Sequence, residues 1–143
     1  MGVVEGSPIA SDNDWEQILR GGKRAIKAWI DAQMKGTSCC VVLIGRATAN
    51  REWVNYEIVE SWNQGKGVVG VYIHRLKDLQ GWQSVKGANP FDYVTFTQGG
   101  RALSTVARTY DPPFMDSKLV YGYVKVNLSS WIEEAIRIRG GAR

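Results

Sequence analysis

Glu57 is the side chain of this sequence best placed to do chemistry. It lies in the segment 50–58 (NREWVNYEI), which directly follows the most hydrophobic run of the chain, residues 39–45. A buried strand, a short loop and a helix form half of a βαβ unit, and open α/β sheets place their sites at such strand ends. At 100° per residue, Val54 faces the core while Trp53 and Glu57 lie on the border of that face. We therefore predict a carboxylate that is half sheltered and half open to a cleft.

Other interpretations of these residues stay open. Glu57 could be a solvated surface glutamate, and Trp53 could be an ordinary core side chain. His74 is the single histidine of the chain, and it lies where a second hydrophobic strand is predicted to end, so both a direct and a structural role are open. One histidine excludes histidine-rich metal centres and disfavours a Ser-His-Asp triad.

The composition is that of one soluble globular domain, residues 1–143, with 44% apolar and 22% charged residues. No apolar run approaches the ~20 residues that span a bilayer, and the first residues do not resemble a signal peptide. We therefore expect a cytoplasmic protein with no membrane partner. The net charge of +4 is dispersed, which favours anionic small molecules or weak, non-specific nucleic-acid binding, and we expect no specific nucleic-acid partner. Adjacent Cys39 and Cys40 would point to opposite faces of a strand, so no disulfide framework or metal cluster is expected.

The hydrophobic pattern predicts alternating strands and helices, which is typical of a parallel α/β sheet. Residues 38–45 and 68–74 are predicted interior strands, with a helix at about 51–64 between them. Further predicted elements are a helical turn at 15–19, a helix at 23–35, a short strand at 94–96, a strand at 119–126 and a helix from Ser130 through Ile138. Residues 75–93 form a long, turn-rich loop of a kind that is often functional, and 97–117 show no readable pattern.

Several of these segments resemble a known family. The segment 51–58, after the hydrophobic residues 41–45, is similar to the W-x-x-x-E segment of TIR domains that cleave NAD+. Over roughly residues 3–96 the ordered set of segments resembles the TIR-like proteins of the bacterial Thoeris anti-phage system more closely. The other matching segments are 11–16, 27–31, 68–74 and 86–92. The resemblance implies a flavodoxin-like (TIR-like) parallel sheet with flanking helices.

The resemblance also implies roles for five residues. Glu57 corresponds to the catalytic glutamate and Trp53 to the tryptophan beside it. Ser11, Asp12 and Asp14 belong to a mobile loop near the site and would contact the substrate. NAD+ is then a substrate rather than a cofactor, and no metal is required. The family cleaves the nicotinamide–ribose bond, and its Thoeris members make a cyclised ADP-ribose signal that activates a separate effector.

A single carboxylate suits this reaction. A glycosidase normally needs a second carboxyl group to protonate a poor leaving group. Nicotinamide in NAD+ is already a cationic pyridinium and leaves as a neutral molecule, so no general acid is needed. Glu57 would orient the ribose hydroxyls and stabilise an oxocarbenium-like centre, while Trp53 would wall the pocket or stack on a ring.

The beginning of the chain departs from the family pattern. These proteins usually start with a short hydrophobic strand and a first helix, whereas this sequence opens at Met1 and Val3. The missing strand is central in the order 2-1-3-4-5, so we expect an N-terminally truncated domain. Another segment or a second copy could fill this gap. An unfilled gap would leave the edge of the strand at 38–45 exposed, which invites pairing, so a homo-oligomer is the expected assembly.

Two functions of other classes stay open. A TIR-like scaffold without catalysis would serve as a protein–protein interaction module, and an exposed strand edge would support that role. A receiver-like phospho-acceptor domain shares the fold, but the sequence lacks the acidic cluster that such a domain needs after its first strand.

Overall fold

The computed structural model describes residues 38–77, 81–96 and 99–141, apart from the side chain of Trp53. The strands and longer helices, in chain order, are β1 (Cys39–Ile44), α1 (Glu52–Asn63), β2 (Gly67–Tyr72), β3 (Arg108–Tyr110) and α2 (Ser117–Gly141). Short 3-10 helices cover Thr48–Asn50, Pro90–Tyr93 and Leu103–Thr105. The helical turn predicted at 15–19 and the helix predicted at 23–35 lie outside the described residues.

The described strands form one parallel sheet in the order β1-β2-β3. Cys39 pairs with Gly67 and Ile44 with Tyr72, so β1 and β2 are in register along their whole length. β3 pairs with β2 from Val69 onward. The sheet confirms the predicted strands at 38–45 and 68–74, although the second ends at Tyr72 rather than at position 74.

Side chains of β1 and β2 alternate between two hydrophobic clusters, one on each face of the sheet. Val69 and Val71 pack with α2 on one face, whereas Val42 and Ile44 pack with α1 on the other. Because both faces are covered, the strands are apolar throughout, as interior parallel strands usually are. The result is the three-layer arrangement of a TIR-like α/β fold.

Helix α1 agrees with its prediction at about 51–64. Val54 and Ile58 form its buried face, with 8% and 0% of their surface exposed. The helix ends in a Schellman motif, in which Gly65 has φ +85° and donates to the Trp62 carbonyl while Lys66 donates to that of Ser61. This turn leads the chain directly into β2.

The prediction for residues 119–126 is wrong, because this segment belongs to one continuous helix, α2. Val120, Val124 and Leu128 are buried at helical spacing against the sheet, and Val126 is 75% exposed. Its β-branched residues favour a strand locally, but packing of a whole helical face against the sheet outweighs that preference. Ser130, the predicted start, lies inside the helix.

The start of α2 is capped by Asp116. The Lys118 amide donates to Asp116 Oδ1 at 2.7 Å, and the Val120 amide donates to the Asp116 carbonyl at 3.0 Å. An aspartate whose side chain accepts from the second residue beyond it is a normal helix start. Together, the buried face and the cap explain a helix of 25 residues.

The crossover from β2 to β3 also differs from its prediction. In place of a strand at 94–96 there is a single antiparallel bridge between Thr95 and Ala102. β3 lies within 97–117, where the sequence shows no pattern, because a strand of three residues, none of them buried, is too short to produce one. Phe91 and Leu103 of the crossover are buried on the same face of the sheet as α1.

Candidate functional site

The carboxyl ends of the three parallel strands lie at one edge of the sheet. Gly45 follows β1, His74 lies just beyond β2, and Asp111 follows β3. In open α/β sheets, ligands bind outside this edge. The candidate site is therefore built from the turns that leave β1 and β2 and from the helix α1.

The turn after β1 is fixed by Thr48. The Gly45 amide donates to Thr48 Oγ1 at 2.8 Å, and Thr48 Oγ1 donates to the Leu43 carbonyl at 3.4 Å. Arg51 has extended backbone and precedes the first residue of α1, and its carbonyl accepts from the Val54 amide at 3.1 Å. This turn sets the direction in which α1 leaves the edge of the sheet.

Glu57 lies in the second turn of α1 and its side chain is exposed. The predicted half-sheltered position is therefore wrong: among the described side chains of α1 only Val54 and Ile58 are buried, and those of Tyr56 and Val59 are 65% and 39% exposed. Among the described residues, no side chain hydrogen bonds to the Glu57 carboxylate or forms an ion pair with it. The carboxylate is accessible to a ligand from the solvent side of the helix.

The remaining predicted site residues are not described structurally. Ser11, Asp12 and Asp14 lie outside the described residues, and so does the side chain of Trp53. The backbone of Trp53 is in α1, four residues before Glu57, a spacing that places two residues on the same side of a helix. The roles assigned to these four residues stay predictions.

A second feature of this edge is an open cleft of about 780 Å³ at the exit of β1, which we call the β1 cleft. Its lining residues are Gly45, Arg46, Ala47, Thr48, Arg51, Gln83, Ser84 and Val85. Arg46 and Arg51 supply positive charge, and no described lining residue is acidic. The β1 cleft thus suits an anionic ligand. Glu57 is not among the described residues that line it.

The loop at 81–89 forms the other wall of the β1 cleft and is anchored by hydrogen bonds. The Ser84 amide donates to the His74 carbonyl at 2.8 Å. Gln83 Nε2 donates to the carbonyls of Arg75 and Met115, each at 2.7 Å. This wall is therefore attached both to the turn after β2 and to the segment before α2.

Lys86 attaches the same loop to the ends of β2 and β3. Its Nζ lies 3.2 Å from Asp111 Oδ2 and 4.5 Å from the centroid of the Tyr72 ring. His74 packs edge-on to Tyr72, with ring centroids 6.2 Å apart, and is only 5% exposed. That burial favours the structural role for His74, because the imidazole is not presented to a ligand.

Sequence reasoning did not single out Arg46 and Arg51. The available signal was their spacing, since two arginines flank the short loop between a buried strand and a helix. Their convergence on one cleft depends on the turn at Thr48 and on the loop at 81–89, which is distant in the sequence.

Three other features of the described part of the chain bear on function: metal binding, thiol reactivity and membrane spanning. No group of three or more His, Cys, Asp or Glu side chains there could hold a metal ion. Burial raises the pKa of Cys39 to about 12, with the neighbouring Cys40 as a smaller cause, so this thiol stays protonated at neutral pH. Neither described helix has the length and apolar character needed to cross a membrane.

The parallel sheet, its helices on both faces and the cleft at its carboxyl edge define a TIR-like domain of the α/β class. The chain belongs to the family described as Thoeris protein ThsB, TIR-like domain, whose family model matches residues 3–78. This match confirms the resemblance found in the sequence.

A curated relative agrees with this family. The chain is 40% identical over 82 residues to a protein of Bacillus cereus (strain MSX-D12) named "Putative cyclic ADP-D-ribose synthase ThsB1". The match covers 57% of this chain and 43% of the relative, so it spans less than half of the relative's length.

Proposed function

We propose that this TIR-like domain cleaves NAD+ at the nicotinamide–ribose bond and makes an ADP-ribose signal for anti-phage defence in the cytoplasm. The observation that carries the proposal is the position of Glu57, accessible on α1 within the part of the chain that matches the ThsB family. The name of the B. cereus relative supports a cyclised product. A separate effector would then be reached through this nucleotide.

The proposed cleavage of NAD+ needs no second catalytic acid. The electron pair of the nicotinamide–ribose bond leaves with nicotinamide, which departs as a neutral molecule. The Glu57 carboxylate stabilises the positive charge that develops on the ribose. A second nucleophilic group of the same ADP-ribose then bonds to that ribose carbon, and one proton is released to solvent, which gives a cyclic product. Capture by water, which loses a proton, would give linear ADP-ribose instead.

The β1 cleft supplies a place for the diphosphate of the substrate. NAD+ carries its negative charge on two linked phosphates, and arginine binds phosphate oxygens with a planar fork of donors. Arg46 and Arg51 are exposed residues that line this cleft at the carboxyl edge of the sheet. In our proposal they hold the diphosphate, while Trp53 and the segment with Ser11, Asp12 and Asp14 contact the rest of the substrate.

The decisive test is Glu57→Gln in the full-length protein, measured as nicotinamide release by chromatography. We expect turnover to fall by about 10²–10³-fold or more, because the substitution removes the charge that stabilises the transition state. Glu60→Gln is the matched control, since Glu60 lies on the same helix and its carboxylate accepts a hydrogen bond from exposed Tyr56 at 3.1 Å. Equal turnover by wild type and Glu57→Gln would refute the proposal.

A second candidate function is a non-catalytic interaction module that self-associates. It is favoured by exposed apolar side chains at α2, where Met115, Leu119 and Val126 are 71%, 54% and 75% exposed. For this candidate, light scattering would show a dimer whose population rises with protein concentration. The nicotinamide-release assay would show no NAD+ turnover. A strictly monomeric protein that turns over NAD+ would exclude this candidate.

A further inference from the structure

A second cleft lies at the other edge of the sheet, and we call it the amino-edge cleft. It has a volume of about 900 Å³ and is formed by the end of α1, the end of α2 and the crossover around the Thr95–Ala102 bridge. Gly67, the first residue of β2, lies against the backbone of Ala135. The end of α2 is therefore at the amino ends of the strands, away from the β1 cleft.

Two aromatic rings and an apolar floor form the walls of this cleft. Trp62 and Phe96 pack edge to face, with centroids 5.7 Å apart and planes at 60°. Leu103 and Val106 also line it, and Leu103 is 1% exposed. Aromatic side chains in such a setting offer a flat apolar surface for a planar ring.

Two arginines, Arg101 and Arg139, are the charged residues among the described lining of the amino-edge cleft. The Arg139 guanidinium lies 4.6 Å from the centroid of the Trp62 ring, and its Nε donates to the Trp62 carbonyl at 3.0 Å. The Arg101 guanidinium lies 5.8 Å from the Phe96 ring. Both arginines are cationic, so the described lining offers guanidinium donors to an anion.

We propose that the amino-edge cleft binds a nucleoside monophosphate. Its ring would lie against the wall formed by Trp62 and Phe96, and its phosphate would be bound by Arg101 and Arg139. The combination of a planar apolar ring and a compact anion matches the two kinds of surface that the cleft presents. Its volume is within the ordinary range for small-molecule sites, about 300–1,000 Å³. This site is separate from Glu57 and does not depend on NAD+ cleavage.

The test is isothermal titration calorimetry of the full chain with adenosine 5′-monophosphate. We expect one binding event that weakens at least tenfold with adenosine, which lacks the phosphate, and at least tenfold with ribose 5-phosphate, which lacks the ring. Arg101→Ala and Phe96→Leu should each weaken binding of the monophosphate at least tenfold. Because Arg101 is exposed, its replacement leaves the core intact.

Two matched variants act as controls. Arg137→Ala removes an exposed arginine of α2 that does not line the cleft, and Arg46→Ala removes one from the β1 cleft. Arg137→Ala should bind the monophosphate like wild type, and Arg46→Ala should keep the binding that Arg101→Ala removes. If circular dichroism shows that Phe96→Leu unfolds the protein, the Arg101→Ala variant alone tests the proposal.

Three results would overturn the proposal: no binding at millimolar monophosphate, unchanged binding by Arg101→Ala, or loss of binding by Arg46→Ala. The last would mean that the ligand occupies the β1 cleft. Loss of NAD+ turnover has no bearing on this outcome, so the two proposals can fail separately.

Discussion

Gly87 lies directly against the carbonyl of Gly45. A Cβ atom built on Gly87 would be 2.1 Å from the Gly45 oxygen and 2.8 Å from that of Arg46. Real Cβ atoms do not approach so closely, and only glycine allows the loop at 81–89 to touch the turn after β1. The β1 cleft owes its shape to this backbone contact.

Gly87→Ala should therefore lower the free energy of unfolding by about 1–3 kcal/mol, because the added methyl group forces two backbone segments apart. Gly122→Ala is the control, since Gly122 is in α2 and a Cβ there would meet open space. Replacing this helix glycine by alanine should raise the free energy of unfolding by about 0.5–1 kcal/mol. Urea unfolding followed by circular dichroism measures both changes, and a stabilised Gly87→Ala would contradict the contact.

A pair of valines tests the helical assignment of residues 119–126. Val124 is 0% exposed and Val126 is 75% exposed, although a strand would place both on the same face. Val124→Ala should cost on the order of 2 kcal/mol through lost burial and a residual cavity. Val126→Ala should change stability by less than about 0.5 kcal/mol. Similar losses from both variants in urea unfolding would point to a strand.

Arg46→Ala and Arg51→Ala test the proposed diphosphate position. Each should raise KM for NAD+ about tenfold and leave kcat nearly unchanged, because loss of one charge-assisted contact weakens binding of substrate and transition state alike. Arg137→Ala, which removes an exposed arginine outside the β1 cleft, should leave both constants unchanged. Steady-state nicotinamide release gives the two constants. A fall in kcat at constant KM would assign these arginines to the chemical step instead.

Tyr110 gives a prediction for alkaline pH. Burial, and next the hydrogen bond from its hydroxyl to the Glu134 carboxylate, raise the pKa of Tyr110 to about 12. Its ring also stacks on Trp131, with centroids 4.5 Å apart. Since an unfolded tyrosine has a pKa of about 10, the folded state favours the neutral form. Its contribution to stability is complete below pH ~10 and is lost as pH rises toward 12.

Tyr110→Phe should therefore make the loss of stability between pH ~10 and ~12 less steep. Part of the slope should remain, because burial also raises the pKa of Tyr121 to about 12. Urea midpoints measured from pH 8 to 12 provide the comparison, and an unchanged slope for Tyr110→Phe would be inconsistent with its raised pKa.

The elements with strong local signals could be predicted closely. β1 and β2 are continuous apolar runs, and α1 has a buried face at Val54 and Ile58 and a glycine stop at Gly65. Each of these signals lies within a few residues of the element it specifies. The family could be inferred for the same reason, because its matching segments surround this βαβ unit.

The end of the chain could not be predicted in this way. The alternating valines and tyrosines of residues 119–126 fit a strand as well as a helix, and contact with the distant β2 favours the helix. β3 is too short to show a periodic pattern and exists only because β2 provides its hydrogen-bonding partner.

The sequence by itself determined the βαβ unit, the family and the position of Glu57 in the chain, because hydrophobic order and turn residues act locally. Only the tertiary structure decided that Glu57 is exposed, that Arg46 and Arg51 share a cleft, and that α2 is one helix. Those features depend on contacts between segments that are far apart in the chain. The energy of such contacts comes from surfaces that form only when the sheet and both helices have packed.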